Sequence, residues 1–474
     1  MRKRGARMSK QDGIQVSTVQ PPTTADMNAW RDYWQKRGQL WRTEPEIDVE
    51  RQKYLAERRS ITPDIEQGIY SFKGIKLTRA DIEWLLATHE NGRGSVDWSD
   101  ESQRGRQGVD LRGADLRRIN LCGLPLARLC AGLSWYKRNF HTSEQLDDAG
   151  VCLERADLRE THLEGAILRG AHLEHTDLRG AFLEEADLSR AHLQGANFRE
   201  AHLEKTKFIR THLQWADLPE AHLEGAKLIR AHLEGAHLRR AHLEGADLRR
   251  AFFDIATNLD ETFITNTKGE SVLLAGIHWG GVDLTMLNWG QVKTLGDECV
   301  ARQNKWSNQD WKDKATRLTE YEEAVRANRQ LAVALQAQGL NEDAARFSYR
   351  AQVLQRTVYR LQGGAGPFLQ YLFSLFLDLL AGYGYKPWRS FGAYLVVITL
   401  FATAYFLIGH TVGPALSPLG AWVFSMTSFH GRGFFPGGIK LDAPLTVLAA
   451  LEAFVGLLIE VTFIATLTRR LFGQ

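Results

Sequence analysis

Two groups of residues in this chain have the types and spacing to do chemistry. Near the C-terminus, Thr427, Ser428, Phe429, His430, Gly431, Arg432, Gly433 and Phe434 form a polar, glycine-flanked run between two long apolar segments. The second apolar segment carries two carboxylates, Glu452 and Glu460. Eight residues apart, they fall on nearly the same face of a helix. Carboxylates inside a bilayer are costly and are functional candidates by default. In the middle of the chain, His172, His192, His212 and His232 recur every 20 residues. So do His162, His202, His222 and His242, with Phe182 interrupting that series. Stacked imidazoles can bind a transition metal or report pH. A tolerant polar position copied by duplication accounts for the same histidines, so no metal ligand and no cofactor is assigned.

Other chemistries find no footing. The soluble part has no nucleophile elbow, phosphate loop, metal motif or paired carboxylates, and an enzyme is not expected. With 59 basic and 56 acidic residues and a net charge of +3, the 474-residue chain has no general affinity for nucleic acid. Cys122, Cys130, Cys152 and Cys299 are scattered, without a CxxC pair, and read as reduced thiols. The basic start, Met1 to Arg7, is followed by no apolar stretch, so a secretory signal is not expected.

The elements that hold the histidines have a period of five. From Val151 to Ile255 the chain repeats units such as Ala-His-Leu-Glu-Gly without a break, 21 times. Leu or Phe fills the third position of every unit, from Leu153 through Phe208 to Phe253. The first is almost always Ala, with Thr161, Thr176, Thr206 and Thr211 as small substitutes. Five matches neither helix nor strand, and a fixed period over many units marks a solenoid. This pattern resembles the pentapeptide-repeat family. The resemblance implies a right-handed, four-sided β-helix with four units per coil, Leu/Phe and Ala pointing inward. About five coils at a ~4.8 Å spacing make roughly 25 Å. A block from Val109 adds most of another coil, residues 134–150 form a side loop, and units at Ile277, Val282 and Leu287 look like a degenerate last coil, so the β-helix spans 109–292. Some members of the family mimic DNA with strongly acidic surfaces. Residues 151–255 hold 18 Asp/Glu and 15 Lys/Arg, mixed in sign, which suits neither mimicry nor binding of DNA.

On either side the composition changes. Residues 1–25 read as a disordered basic tail, and 26–108 as a mixed, mostly helical region capping the open end of the solenoid. Residues 305–362 read as an αα-hairpin linker, broken at Gly339, with Asn341 as N-cap of the second helix. Residues 367–382, with Gln370, Ser374 and Asp378 on one side, make an apolar stretch of about 15 residues. It is short for a span and suits a helix lying in the interface. The first span is expected over 390–410 and the second over 443–468, with a short helix and loop over 418–436 between them. That helix should end at Met426, with a loop from Thr427.

Span, short helix, Gly-rich loop, span resembles the two-transmembrane pore module of the potassium-channel superfamily. The resemblance covers roughly residues 385–472 and implies a tetramer around an ion-conducting pore. In that family a Thr-Val-Gly-Tyr-Gly loop lines up carbonyls to replace an ion's water shell. Here Gly431-Arg-Gly433 stands where Gly-Tyr-Gly would, Thr427 and Ser428 stand near the family's Thr positions, and Gly456 falls where inner helices bend. Arg432 is a departure, since a positive charge on the axis would repel cations. Arg432 paired with Glu452, bracing the loop from behind, resolves this, with Glu460 lining the inner vestibule. The alternative is that both carboxylates only hydrogen-bond between helices.

Basic residues before the first span (Lys386, Arg389) and after the second (Arg469, Arg470) put the soluble domains and the C-terminus in the cytoplasm, below an inner membrane. The expected protein is a multi-pass, homo-oligomeric channel-like pore in lipid, passing an inorganic ion, with a cytoplasmic solenoid open to a protein partner. The competing expectation is a membrane-anchored scaffold that conducts nothing.

Overall fold

The computed structural model describes residues 20–23, 26–134, 142–306, 309–412, 416–431 and 444–472. It divides into two compact units: residues 1–272 with 278–287, and residues 273–277 with 288–474. The basic tail lies almost wholly outside the described residues.

In the first unit, the period of five becomes a coil because every fifth residue turns left-handed. All 20 fifth positions from Arg155 to Arg250 have positive φ, near +60°. Each sits third in a β-turn closed by a bond such as Ala156 N–H to Leu153 O, 3.0 Å. Four such corners close one coil, so residue i meets residue i+20 in a parallel bridge: His172 with His192, Asp177 with Asn197, Phe182 with His202 and Asp187 with Lys207. Among the described residues these bridged positions stand singly and make no continuous strand. With a corner every five residues, no side is long enough for a ladder. The Ala and Leu/Phe positions between the corners are buried throughout the array. The Thr substitutes satisfy their hydroxyls locally, as where Thr206 Oγ1 donates to Leu183 O at 2.7 Å.

The register is broken twice. Between Asp115 and Cys152 it jumps from 20 to 37, because a segment containing helix α4 (Ser143–Ala149) leaves the stack. Past Asp254 it slips to 21, then to 26 after the hairpin at Thr265 and Ser271. Before the array come helices α1 (Met27–Lys36), α2 (Val49–Arg59) and α3 (Arg79–Ala87). The buried Glu83 accepts the backbone N–H of Thr43 and Glu44, both at 3.0 Å. Lys76 bridges Asp115, so this region pairs with the first coil and covers its edge. The four cysteines are unpaired, and burial pushes the Cys130 thiol up to about 11.

The second unit is helical. Helix α5 (Gly296–Arg302) packs on the hairpin of α6 (Lys314–Ala337) and α7 (Asn341–Gln362). Arg350 holds the buried Glu298 at 2.7 Å. Asn341 is the first residue of α7 rather than its cap: Leu340 takes the cap position and offers no side-chain acceptor. Three apolar helices follow, α8 (Ala365–Ala381), α9 (Pro387–Val412) and α11 (Pro444–Phe472), with α10 (Pro418–Phe429) before the last. By length and composition, Ala365–Gly384, Trp388–His410 and Pro444–Ala465 could each cross a membrane. The first runs to 20 residues, more than the 15 expected, so its length alone does not exclude a span.

Two substitutions test the coil. Arg230 holds φ +57° at a corner. Arg230→Gly should raise stability by about 0.5–1 kcal/mol, since glycine takes this region without strain. Leu223→Ala should lower it by about 2–5 kcal/mol through the cavity left. Denaturant unfolding of the full chain, followed by circular dichroism, measures both.

Candidate functional site

The membrane module is built around α10. Ser417 caps it, accepting Gly420 N–H at 3.0 Å, and Pro418 starts it. The helix does not stop at Met426. Thr427 turns its hydroxyl back to Phe424 O (2.9 Å), and Phe429 is buried against Leu380, Ile398 and Ile459. Thr427, Ser428 and Phe429 are therefore helical, a correction to the loop expected there. Burial of Phe429 holds the final turn in the helix. Gly431 has φ +68°, and Arg432, Gly433 and Phe434 lie outside the described residues.

Glu452 is fully buried. One carboxylate oxygen accepts from Tyr405 OH at 2.7 Å, and the other meets the Ser425 hydroxyl, which also reaches Ile398 O at 2.9 Å. One carboxyl thus ties α9, α10 and α11. The expected Arg432–Glu452 brace lies partly outside the described residues, and both Glu452 oxygens already have other partners. Glu460 pairs with His430 at the end of α10, and His430 Nε2 lies 3.3 Å from Tyr394 OH. From the sequence His430 is expected in the pore loop and Glu460 in the inner vestibule; the pairing of the two follows from no spacing in the chain. Here it is Glu460, not Glu452, that stands beside the end of α10.

Gly456 has a different task from bending. Helix α11 runs through it unbroken, and a Cβ there would lie 2.1 Å from the carbonyl oxygen of Phe429. The glycine lets α11 touch the end of α10. A second knot sits at Asp378 on α8. Tyr349 OH and Arg356 Nη1 of α7 donate to its carboxylate at 3.0 and 2.9 Å, and Arg389 Nη1 of α9 donates at 3.0 Å. Spacing along α8 placed Asp378 on one side with Ser374, but its three partners come from segments that spacing alone does not relate.

The histidine ladders stack as the 20-residue register requires. His172, His192, His212 and His232 have ring centroids 4.9, 5.1 and 5.2 Å apart, nearly parallel. Phe252 and His278 continue that column. His202, His222 and His242 stack at 5.1 and 5.2 Å, between Phe182 and Phe263. The residue two after most of these histidines is a glutamate, so each column of rings runs beside a column of carboxyl or amide groups. The carboxylate column was missed in the sequence, although the His-x-Glu spacing was visible. Hydrogen bonding to Glu164 raises the pKa of His162. Burial, with His192 and His232 above and below, lowers that of His212.

Two predictions follow from these geometries. Gly456→Ala should lower the thermal midpoint of the detergent-purified protein. Gly392→Ala, on the same type of helix with nothing within 4 Å, should leave it unchanged or raise it. For His212, a lowered folded pKa means the unfolded chain binds more protons as pH falls through about 6.5. Its contribution is therefore fully present above that pH and lost below it. His212→Gln should be increasingly more stable than wild type as pH drops from 7 to 5, read as the difference in unfolding midpoint.

Residues 152–190, 186–225 and 220–254 match the family model described as pentapeptide repeats, in 8 copies. None of the curated proteins matches the chain. Similar solved structures include QnrB1, titled a plasmid-mediated fluoroquinolone resistance protein, 23% identical over 38% of this chain and 76% of that one, with a TM-score of 0.22. HetL from Nostoc sp. strain PCC 7120, titled a pentapeptide repeat protein involved in heterocyst differentiation regulation, is 28% identical over 38% and 79%, with a TM-score of 0.15. The pentapeptide repeat protein alr5209, also from Nostoc PCC 7120, is 33% identical over 26% and 84%, with a TM-score of 0.16. The match of residues 152–254, on the same positions that form the buried Ala and Leu/Phe columns, makes this segment a pentapeptide-repeat solenoid.

Proposed function

We propose that this chain is a multi-pass inner-membrane protein, without enzymatic activity, whose C-terminal module assembles in homo-oligomers into a channel-like pore for an inorganic ion. The observation carrying this reading is the seating of α10. It is apolar and 12 residues long, packs against both α9 and α11, and ends at the Gly456 contact. A helix that enters between two spans and stops is the layout of a re-entrant pore element. A two-span subunit does not enclose a pore alone. The exposed Val396 and Leu400 of α9, Trp422 and Met426 of α10, and Leu451 and Phe454 of α11 offer apolar faces for neighbouring copies and lipid.

Helix α8 suits the interface better than a span. It packs against α7, which carries Arg346, Arg350, Arg356 and Arg360, and a bilayer core would not accept that partner. Its exposed Phe368, Leu369, Phe373, Phe376 and Leu379 give it an apolar face for lipid. Lys386 before α9 and Arg389 in its first turn, with Arg469 and Arg470 near the end of α11, support a topology with both ends and the solenoid in the cytoplasm. There the solenoid organises the pore or receives a protein partner.

A non-conducting scaffold is the second reading. It is favoured by the helical state of Thr427 to Phe429, whose carbonyls are not laid out as a filter. Native mass spectrometry in detergent and ion flux through reconstituted liposomes separate the two. The pore reading expects an oligomer and flux that Gly431→Trp or Gly433→Trp abolishes. A monomer sinks it, and an oligomer without flux supports the scaffold.

A further inference from the structure

The two histidine faces of the solenoid differ in what accompanies them. On the face of His172, His192, His212 and His232, the residues two positions on are Glu174, Gln194, Gln214 and Glu234. On the face of His202, His222 and His242 they are glutamate every time, Glu204, Glu224 and Glu244, with Glu184 following Phe182. Because coils stack in register, the carboxylate of one coil joins the His–Glu pair of the next. Ligand atoms of Glu184, His202 and Glu204 lie within 4.8 Å of one another. The same holds for Glu204, His222 and Glu224, and for Glu224, His242 and Glu244. Each Nδ1 stands near its own glutamate, at 3.7 Å for His202, 3.5 Å for His222 and 3.4 Å for His242.

A second observation concerns the carboxylates themselves. Oε2 of Glu184, Glu204, Glu224 and Glu244 is buried and meets no hydrogen-bond donor among the described residues. A desolvated carboxylate oxygen without a donor is unfavourable, and a cation in the column would supply what is missing. Imidazole nitrogen with carboxylate oxygens suits zinc and its neighbours among the divalent transition metals.

We propose that this face binds two divalent transition-metal ions per chain, one at Glu184–His202–Glu204 and one at Glu224–His242–Glu244. The middle triad shares Glu204 with one site and Glu224 with the other, so filling the outer two leaves it no free carboxylate. Two carboxylates per ion balance each double charge. Ring spacings of 5.1 and 5.2 Å put the ions two coils, about 10 Å, apart, which halves their mutual repulsion relative to adjacent coils. The triad Glu154–His172–Glu174 on the other face is excluded because Lys76, Arg117, Arg118 and Arg155 line the same groove.

The test uses the full chain in detergent, titrated with zinc by calorimetry and with cobalt by its visible absorption. Wild type should bind two ions, and zinc should raise its thermal midpoint. His202→Gln and His242→Gln should each bind one ion, the double variant one at the freed Glu204–His222–Glu224 triad, and the triple variant that adds His222→Gln none, while His222→Gln and His172→Gln alone keep two. The two unaffected variants control for folding. Fewer than two ions in wild type, two ions in the double variant, any ion in the triple variant, or loss of an ion in His222→Gln or His172→Gln overturns the assignment.

Discussion

The solenoid depends on one backbone conformation, the left-handed residue that closes each group of five. At positions such as Arg155, Glu160, Trp215 and Arg250 this residue is not glycine, and each such corner carries strain of about 1–2 kcal/mol. The strain persists because the next coil holds the corner. Arg155 N–H donates to Glu174 O at 2.9 Å, and Arg210 N–H to Ile229 O at 2.9 Å. A corner held by its neighbour cannot relax alone, which is the condition for strained backbone to survive. Once four corners close a coil, the rest is forced: a small residue and a branched one inside, polar residues outside, and every outside position stacked on its counterpart 20 residues away.

That stacking turns repetition in sequence into chemistry in space. A histidine copied along the array becomes a column of parallel rings, and a glutamate two residues later becomes a column of carboxylates whose members are shared between coils. Neither column is built by any one repeat. The environment of His212 is set by burial within the stack and then by His192 and His232 above and below it.

The helical unit solves the opposite problem, holding unlike segments together without repetition. It does so with buried polar knots and one close backbone approach. Glu452 joins three helices through Tyr405 and Ser425. Asp378 joins α7, α8 and α9. In apolar surroundings an unsatisfied carboxyl is expensive, so each knot fixes which helices can be neighbours. Gly456 then sets how near they come.

Whatever is periodic or cumulative can be read from the order of residues alone. The period of five dictated the coil, its inward Ala and Leu columns and the ladders of histidine, because in-register stacking converts spacing directly into neighbourhood. Hydropathy over about 20 residues marked the apolar helices, because lipid and core both select on summed burial. Tertiary structure decided the partners. That Glu452 would meet Tyr405 and Ser425, that Glu460 would meet His430, that Thr427 to Phe429 would stay helical, and that Gly456 would serve contact rather than bending all depend on packing between segments with no common period. Single-bridge sides in place of strands likewise emerge only when the corners are seen in three dimensions. The carboxylate columns fall between the two cases. Their spacing was legible, but the burial that leaves their oxygens without donors exists only once the coils are stacked.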